Sequence, residues 1–289
     1  MTGPTWRTLL VAATFLASHA PAHSQVPVVA AENFYGDIAQ QIGGPDAAVS
    51  SILSSPDQDP HLFEASAATA RALAAARIVV FNGAGYDSWI TKMLRATPAA
   101  NRVVVEAAVL TGRKPGDNPH IWYDPATMRE VARALAEALA AADPAHRDAF
   151  AQRLAAFDAS LTPLDGRIAE LRQRVAGQTV TATEPVFGYM ATALGLVMRN
   201  ERLQLAVMND TEPRASDVAA FEADLKNRRV RVLLFNSQAA GPAAQRLLQL
   251  AQRQHVPTVA VTETEPAGTT YQAWMTSQLD ALGQALAQP

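Results

Sequence analysis

The stretch "RIVVFNGAGYDSWITKMLR" (Arg77–Arg95) contains the pattern that decides the fold. The run from Arg77 to Gly83 is short, apolar and rich in β-branched residues, and it ends in Asn-Gly, which predicts a buried strand followed by a turn. A helix is predicted from Tyr86 to Arg95. Buried strands that alternate with helices are typical of an α/β protein whose parallel sheet is covered on both faces.

The same alternation recurs along both halves of the chain. Strands are predicted at Val26–Ala31, Ala48–Leu53, Arg77–Gly83, Arg102–Glu106, Thr179–Thr183, Arg202–Val207, Val230–Phe235 and Pro257–Val261. Helices are predicted at Phe34–Ile42, Ser66–Ala76, Tyr86–Arg95, Ala126–Ala142, Val186–Leu194, Ala215–Lys226, Pro242–Gln254 and Tyr271–Ala287.

The alternation is interrupted once, by a long, charged helical stretch over 144–175. Pro163 and Gly166 weaken the helix prediction near its middle, because both residues disfavour a helix interior. We therefore predict two Rossmann-like α/β lobes with parallel sheets, spanning 25–143 and 176–289, joined by a single long linker helix. A cleft between two lobes is a usual place for a ligand.

The N-terminus has the features of a secretory signal peptide over residues 1–24. Arg7 supplies a positive charge, "LLVAATFLA" (Leu9–Ala17) is a short apolar run, and "AHS" (Ala22–Ser24) ends in small residues suited to cleavage before Gln25. A short N-terminal helix is the alternative. Export to the bacterial periplasm is the expected localisation.

Composition excludes several classes of protein. The 289 residues are 49% hydrophobic and 18% charged, with a formal charge of −3, and show no basic stripe that would bind nucleic acid. No internal apolar run is long enough to span a bilayer. The chain has no cysteine, and hence no disulfide framework and no thiol for lipid attachment at the cleavage site. We expect a soluble monomer.

Two histidine motifs follow the second and fourth predicted strands. "DPHLF" (Asp59–Phe63) contains His61, and "NPHIW" (Asn118–Trp122) contains His120. Ligands of open α/β sheets lie beyond the carboxyl ends of the strands, where both motifs are predicted to lie. Singly, each is more typical of an ordinary loop histidine, but the matched pair indicates a metal site. The flanking apolar residues are expected to anchor each loop in the core.

Further ligands are expected at strand ends of the second half. Glu184 follows Thr179–Thr183 directly, and Glu263 comes two residues after Pro257–Val261. Taken alone, Glu184 would by default make a dipole or capping interaction at a helix N-terminus. Glu265 competes with Glu263 because both lie in one loop. His146 and His255 are interpreted as structural.

The mature chain resembles the zinc/manganese class of ABC-transporter substrate-binding proteins throughout. The motifs that carry the resemblance are "DPHLFE", "FNGAGYDSWITKML", "NPHIWYDPATM", "TEPVFGYMATALGL", "NDTEPRASDVAAFEADLKNRRVRVLLFNSQ" and "TETEPAGTTYQAWM". The resemblance implies two α/β lobes joined by a rigid long helix, with one metal ion between them. It also implies that the permease and ATPase of the importer are separate chains.

Carried onto this sequence, the resemblance implies the ligands His61, His120, Glu184 and Glu263. The third ligand of the family is His in many zinc receptors and Glu in many manganese receptors. Glu263 is a departure, because the family usually has Asp there. A histidine-rich acidic loop found in many zinc receptors is also missing, since "TGRKPGD" (Thr111–Asp117) is short and has no histidine.

The expected cargo is Mn²⁺ or Zn²⁺. Two carboxylates that bind through both oxygens would favour Mn²⁺, which suits harder ligands, whereas the general affinity order favours Zn²⁺. The predicted function is metal capture for an ABC importer, without catalysis. The alternatives are a metal-dependent hydrolase with Glu184 or Glu263 as general base, and an adhesin-like surface protein.

Overall fold

The computed structural model describes residues 24–54, 63–209, 211–238 and 241–288. Within these ranges the chain forms two four-stranded parallel sheets surrounded by helices, which confirms the predicted α/β class. His61 and almost all of the predicted signal segment lie outside the described residues. None of the helices in the described ranges is long and apolar enough to cross a membrane.

The first sheet has the strand order β2-β1-β3-β4, and every neighbouring pair is parallel. Its strands are β1 (Val26–Glu32), β2 (Ala47–Leu53), β3 (Ile78–Phe81) and β4 (Val103–Glu106). Its helices are α1 (Asn33–Gly43), α2 (Ala67–Ala75), α3 (Ser88–Ala96), the short α4 (Ala107–Leu110) and α5 (Pro125–Ala142).

The central strand β1 is buried on both faces, which is why it is a continuous apolar run. Val28 and Ala30 point into the core that contains α1 and α5. Val29 and Ala31 point into a second core, formed with side chains of α2 and α3. Because successive residues of a strand face opposite sides of its sheet, both layers of helices are needed to cover it.

The charged stretch after α5 is helical, with one interruption. A 3₁₀ turn at Pro144–His146 leads into α6 (Arg147–Ser160), and α7 (Thr162–Val175) follows it. Only Leu161 separates the two helices, and its backbone is itself right-handed helical (φ −82°, ψ −14°). Pro163 lies in the first turn of α7, where a proline needs no N–H donor. This arrangement is consistent with the predicted long helix between the lobes.

The second sheet repeats the topology of the first, with the order β6-β5-β7-β8 and parallel pairs throughout. Its strands are β5 (Thr179–Ala182), β6 (Val197–Arg199), β7 (Leu233–Asn236) and β8 (Thr258–Val261). Its helices are α8 (Gly188–Ala193), α9 (Glu201–Met208), α10 (Ala215–Lys226), α11 (Pro242–Arg253) and α12 (Tyr271–Leu286).

One strand prediction is wrong. The segment Arg202–Val207 lies within the helix α9, and the strand that pairs with β5 is the earlier, three-residue β6. Leu203 is fully buried and Val207, four residues later, packs against the same core. This i, i+4 spacing is that of a helix face, although the run also reads as an alternating strand. Asn200, in the left-handed conformation (φ 63°), separates β6 from α9.

Aromatic side chains join the two lobes. The ring of Tyr123, which follows the second histidine motif, lies 5.5 Å from that of Phe187 and 5.8 Å from that of Trp274, both in the second lobe. The Tyr271 hydroxyl of α12 donates to the carbonyl oxygen of Trp122 over 2.8 Å. The segment after His120 is therefore part of a core that both lobes share.

Candidate metal centre

Three of the four predicted ligands are described, and all three are buried. The exposed fraction of the side chain is 0% for His120, 4% for Glu184 and 1% for Glu263. His120 lies in the loop that follows β4 and α4, Glu184 follows β5, and Glu263 follows β8. All three residues therefore follow the strand-end rule, by which the ligands of an open α/β sheet lie beyond the carboxyl ends of its strands.

His120 and Glu263 approach each other across the interface between the lobes. The distance from His120 Nε2 to Glu263 Oε2 is 3.6 Å. Glu263 Oε2 also accepts a hydrogen bond of 2.8 Å from the hydroxyl of Tyr86, another residue of the first lobe. The carboxylate of Glu263 is therefore in direct contact with side chains of the opposite lobe.

The tautomer of His120 is set by Asn118. Asn118 Oδ1 lies 2.7 Å from His120 Nδ1, and it accepts a second bond of 3.1 Å from the backbone N–H of His120. The orientation of the amide is fixed because its Nδ2 donates to the carbonyl oxygen of Pro185 over 2.7 Å. An amide oxygen only accepts, so Nδ1 carries the hydrogen and the lone pair of the neutral ring is on Nε2.

The apolar residues of "NPHIW" anchor this loop as predicted. Ile121 and Trp122 are buried, and the indole of Trp122 stacks on Phe34 with 4.6 Å between ring centroids. The short 3₁₀ turn Ile121–Tyr123 leads to Asp124, whose carboxylate caps α5 by accepting from the N–H of Ala126. The imidazole is therefore held between a packed core and a helix N-terminus.

Glu184 does not cap a helix. Its backbone is extended, and the 3₁₀ turn Pro185–Phe187 that follows receives no hydrogen bond from its side chain. Instead, Glu184 Oε2 accepts a bond of 2.8 Å from Asn236 Nδ2. The same nitrogen donates to Glu263 Oε1 over 2.5 Å. The capping interpretation of Glu184 is therefore wrong, and the two carboxylates are linked through one amide.

The backbone of Glu265 is bound to the first lobe by Asn33. Its backbone N–H and carbonyl oxygen are bound by the side chain of Asn33 over 3.0 and 2.7 Å. Burial, and secondarily the charge of Asp37, raises the pKa of its carboxyl to about 9. Glu263, by contrast, has its carboxylate 3.6 Å from His120 Nε2, so the placement favours Glu263 over Glu265.

The loop of the motif Phe81–Leu94 supports the histidine loop. The carboxylate of Asp87 accepts from the backbone N–H groups of Asn82 (2.7 Å) and Gly83 (2.9 Å), which fixes the turn after β3. Gly83 adopts a left-handed conformation (φ 78°) that favours glycine. The side chain of Asn82 then donates to the carbonyl oxygen of Pro119 over 2.9 Å, next to His120.

A second pair of buried carboxyls lies at the end of β1 and in this loop. Burial, and then the charge of Asp87, raises the pKa of Glu32 well above its usual value. Burial raises the pKa of Asp87 to about 6, although backbone N–H groups act against this rise. Because Asp87 accepts two N–H bonds, we assign the charge to Asp87 and the proton to Glu32.

Sequence reasoning missed Asn236, Tyr86 and the buried Glu32. Asn236 ends β7 in "VLLFNSQ", so the rule that located Glu184 and Glu263 also applied to it. Within the described residues no three His, Asp or Glu side chains already form a ligand set. The Asn236 amide lies between the two carboxylates and donates to both.

His146 and His255 lie apart from the cluster. His146 is half-buried in the turn before α6, with its Nδ1 2.7 Å from Asp143 Oδ2. His255 is exposed in the turn between α11 and β8.

A comparison with known families decides which family the chain is in. A family model described as "Zinc-uptake complex component A periplasmic" (ZnuA) matches residues 28–285. The chain belongs to the ZnuA family. This confirms the resemblance inferred from the motifs, and the match gives no support to the hydrolase or adhesin alternatives.

Proteins similar to this chain differ in the metal that their names specify. The zinc-binding protein TroA of Treponema pallidum is 22% identical over 95% of this chain and 93% of its own length. The manganese ABC transporter substrate-binding lipoprotein PsaA of Streptococcus pneumoniae is 25% identical over 60% of each chain. The solved structure of the periplasmic zinc binding protein TroA has the same fold, with a TM-score of 0.77, 22% identity and coverage of 92% of this chain and 100% of that one.

Proposed function

We propose that this chain captures one divalent transition-metal ion, Zn²⁺ or Mn²⁺, and delivers it to an ABC-type importer. The observation that carries the proposal is the burial of His120, Glu184 and Glu263 in one linked cluster between the lobes of a ZnuA-family fold. The metal is cargo and not a resident cofactor. His61, which follows β2 in the sequence, is the proposed fourth ligand.

The donor set suits a divalent cation. In the neutral tautomer that Asn118 fixes, His120 offers Nε2 toward Glu263. Two buried carboxylates that share one amide repel each other, and a cation between the lobes would offset this repulsion. Metal binding is therefore expected to strengthen the contact between the lobes as well as to fill the site.

Transport without catalysis follows from the number of ligands. Catalytic zinc sites keep a coordination position open for water, whereas four protein ligands fill a tetrahedral site. We therefore propose no role as general base for Glu184 or Glu263. The permease and the ATPase that drives it are proposed to be separate chains.

The cellular setting is part of the proposal. Residues 1–24 would direct export and be removed before Gln25, which leaves a periplasmic monomer. Its organisation would be a first lobe at 25–143, a linker at 144–175 and a second lobe at 176–289.

The test is a metal titration of the chelator-treated protein with a competing chromophoric chelator. We expect one ion per chain, and at least about a 100-fold loss of affinity in His61→Ala, His120→Ala or Glu263→Ala. The matched control is His255→Asn, which changes an exposed histidine at φ 55° to a residue that tolerates this conformation. Unchanged affinity in His120→Ala would refute the site, and hydrolytic turnover by the metal-loaded protein would favour the enzyme alternative.

A further inference from the structure

The side chain of Gln238 continues the contact between β7 and β8 beyond the ends of both strands. Asn236 and Val261, the last residues of these strands, are partners in the parallel pair, and the N–H of Ser237 donates to Val261 O over 3.0 Å. After this backbone bond a side chain supplies the acceptor, because Gln238 Oε1 accepts from the backbone N–H of Glu263 over 2.6 Å. The backbone of a candidate metal ligand is therefore bound by a glutamine that comes directly after β7.

The amide of Gln238 has one orientation that fits its contacts. Oε1 also accepts from the backbone N–H of Thr264 over 3.0 Å, and Nε2 donates to Thr264 Oγ1 over 2.7 Å. A flipped amide would direct its own hydrogens at two backbone N–H groups and lose both bonds. Glu263 and Thr264 are each 1% exposed, so an N–H group left without an acceptor there would be costly.

The backbone of Gln238 acts on the carboxylate of Glu263. The N–H of Gln238 donates to Asn236 Oδ1 over 3.0 Å, and Asn236 Nδ2 donates to Glu263 Oε1 over 2.5 Å. The other oxygen, Glu263 Oε2, lies 3.6 Å from His120 Nε2. Gln238 is thus connected to Glu263 directly at the backbone and, through one amide, at the carboxylate.

The loop that carries Glu263 is held from both lobes. The hydroxyl of Tyr123, in the first lobe, donates to Thr262 O over 2.6 Å. Gln238 binds the next two N–H groups from the second lobe. The position of the Glu263 backbone is therefore fixed between two adjacent contacts, of which the one at Glu263 itself is made by Gln238.

We infer that Gln238 is a positioning residue for metal capture, which holds the backbone of Glu263 where its carboxylate reaches His120. The inference rests on the proposed function, in which Glu263 binds the metal. A loop that is already fixed gives up little conformational freedom when it binds an ion, so the affinity is higher. Loss of a partner that orients a ligand without touching the metal typically lowers affinity by about 10- to 100-fold.

The test is a double-mutant cycle with Zn²⁺ as the probe. Zn²⁺ affinity is measured against a competing chromophoric chelator for the wild type, Gln238→Ala, Glu263→Ala and the variant with both changes. If Gln238 acts through Glu263, its removal has no further effect once the Glu263 carboxylate is gone. General damage to the fold would instead lower the affinity in both backgrounds. Urea denaturation with excess chelator gives the free energy of unfolding of each variant.

The matched control is Gln204→Ala. Gln204 is also in the second lobe, is 1% exposed, and donates from its side chain to Arg199 O over 2.7 Å. This substitution removes a buried bond between a glutamine and the backbone, as Gln238→Ala does, but in α9 rather than beside Glu263. We expect it to lower the free energy of unfolding and to leave the Zn²⁺ affinity of the folded protein unchanged.

We expect Gln238→Ala to bind Zn²⁺ about 10- to 100-fold more weakly than the wild type. The variant with both changes should match Glu263→Ala to within about twofold. Thr264→Val removes the hydroxyl that orients the Gln238 amide and keeps the size of the side chain. Its loss of affinity should be smaller, and it should likewise disappear in the Glu263→Ala background.

Wild-type affinity in Gln238→Ala, an equal loss in Gln204→Ala, or a further tenfold loss when Gln238→Ala is added to Glu263→Ala would overturn the inference. If Gln238→Ala does not fold, Thr264→Val is taken through the same cycle and decides between these outcomes. Wild-type affinity in Glu263→Ala would instead refute the proposed metal site, so the two failures are distinguishable.

Discussion

Asn118 holds His120 at two atoms, with Oδ1 2.7 Å from the ring nitrogen Nδ1 and 3.1 Å from the backbone nitrogen. The same side chain donates to Pro185 O, next to Glu184 in the second lobe. The hydroxyl of Tyr189 completes the contact by donating to Asn118 O over 2.7 Å. One residue thus orients a candidate ligand and connects its loop to the loop of another.

Replacement of Asn118 should weaken metal binding without removing a ligand. In Asn118→Ala the imidazole loses the acceptor that fixes its tautomer, and we expect about a 10- to 100-fold loss of affinity. Asn118→Asp keeps an acceptor for His120 but loses the donor to Pro185 O, so its loss should be smaller. Competition titration measures both, and wild-type affinity in Asn118→Ala would show that the contact has no role in binding.

Gly188 allows the close approach of Asn118. A Cβ atom on Gly188 would lie 2.7 Å from Asn118 Nδ2, which is closer than real contacts allow. We expect Gly188→Ala to lower the free energy of unfolding by about 1–3 kcal/mol and to weaken metal binding, because Asn118 must shift. Urea denaturation and titration are the measurements.

The matched control for this change is Gly166→Ala. Gly166 lies in α7, and a Cβ atom added to it would have no neighbour within 4 Å, so alanine should be neutral or stabilising by up to about 1 kcal/mol. Equal effects of the two substitutions would contradict the role assigned to the contact between Gly188 and Asn118.

Stability should fall with rising pH because of the carboxyl pair Glu32 and Asp87. Both pKa values are raised in the folded protein, that of Asp87 to about 6, whereas the unfolded chain releases these protons near pH ~4. Above about pH 4 the folded state therefore binds more protons, so the free energy of unfolding decreases as pH rises.

Glu32→Gln replaces the titrating carboxyl of Glu32 with an amide of nearly the same shape, which does not titrate. We expect the variant to gain stability relative to the wild type between about pH 5 and 8, by at most about 1.4 kcal/mol per pH unit, with no gain near pH ~4. Urea denaturation at several pH values tests this. Glu64→Gln changes an exposed carboxyl and should follow the wild type; a Glu32→Gln curve parallel to the wild type would contradict the assignment.

The residue at position 184 should influence metal choice. Glu184→His replaces a carboxylate oxygen by an imidazole nitrogen, and nitrogen ligands suit Zn²⁺ better than Mn²⁺. We expect the ratio of Zn²⁺ to Mn²⁺ affinity to rise by about tenfold, measured by competition between the two metals. An unchanged ratio would mean that this position does not select the metal.

Most of the fold could be predicted from local sequence patterns. Fully buried parallel strands such as Ile78–Phe81 are unmistakable apolar runs, and long amphipathic helices such as Tyr271–Leu286 have a clear period. The exception, Arg202–Val207, has apolar residues at spacings that suit either a strand or a helix. There the pairing of a three-residue strand with β5, a long-range contact, decides the structure.

The strand-end rule identified candidate ligands but not the residues that orient them. Nothing local to Asn236 shows that its amide meets Glu184 and Glu263, which lie 52 and 27 residues away in the chain. The contact of Tyr86 with Glu263 spans 177 residues and both lobes. Such contacts follow from the docking of the two sheets, which no short pattern encodes.

One metal ion is proposed to bind between the lobes at His120, Glu184 and Glu263, with His61. The most direct test is a crystal structure of the protein soaked with Zn²⁺ or Mn²⁺, with anomalous diffraction collected at the absorption edge of each metal. We predict one strong anomalous peak in contact with His120 Nε2 and an oxygen of each carboxylate, at about 2.0–2.2 Å from each when the metal is Zn²⁺. A folded protein with no peak there, or with its only peak elsewhere, would contradict this site.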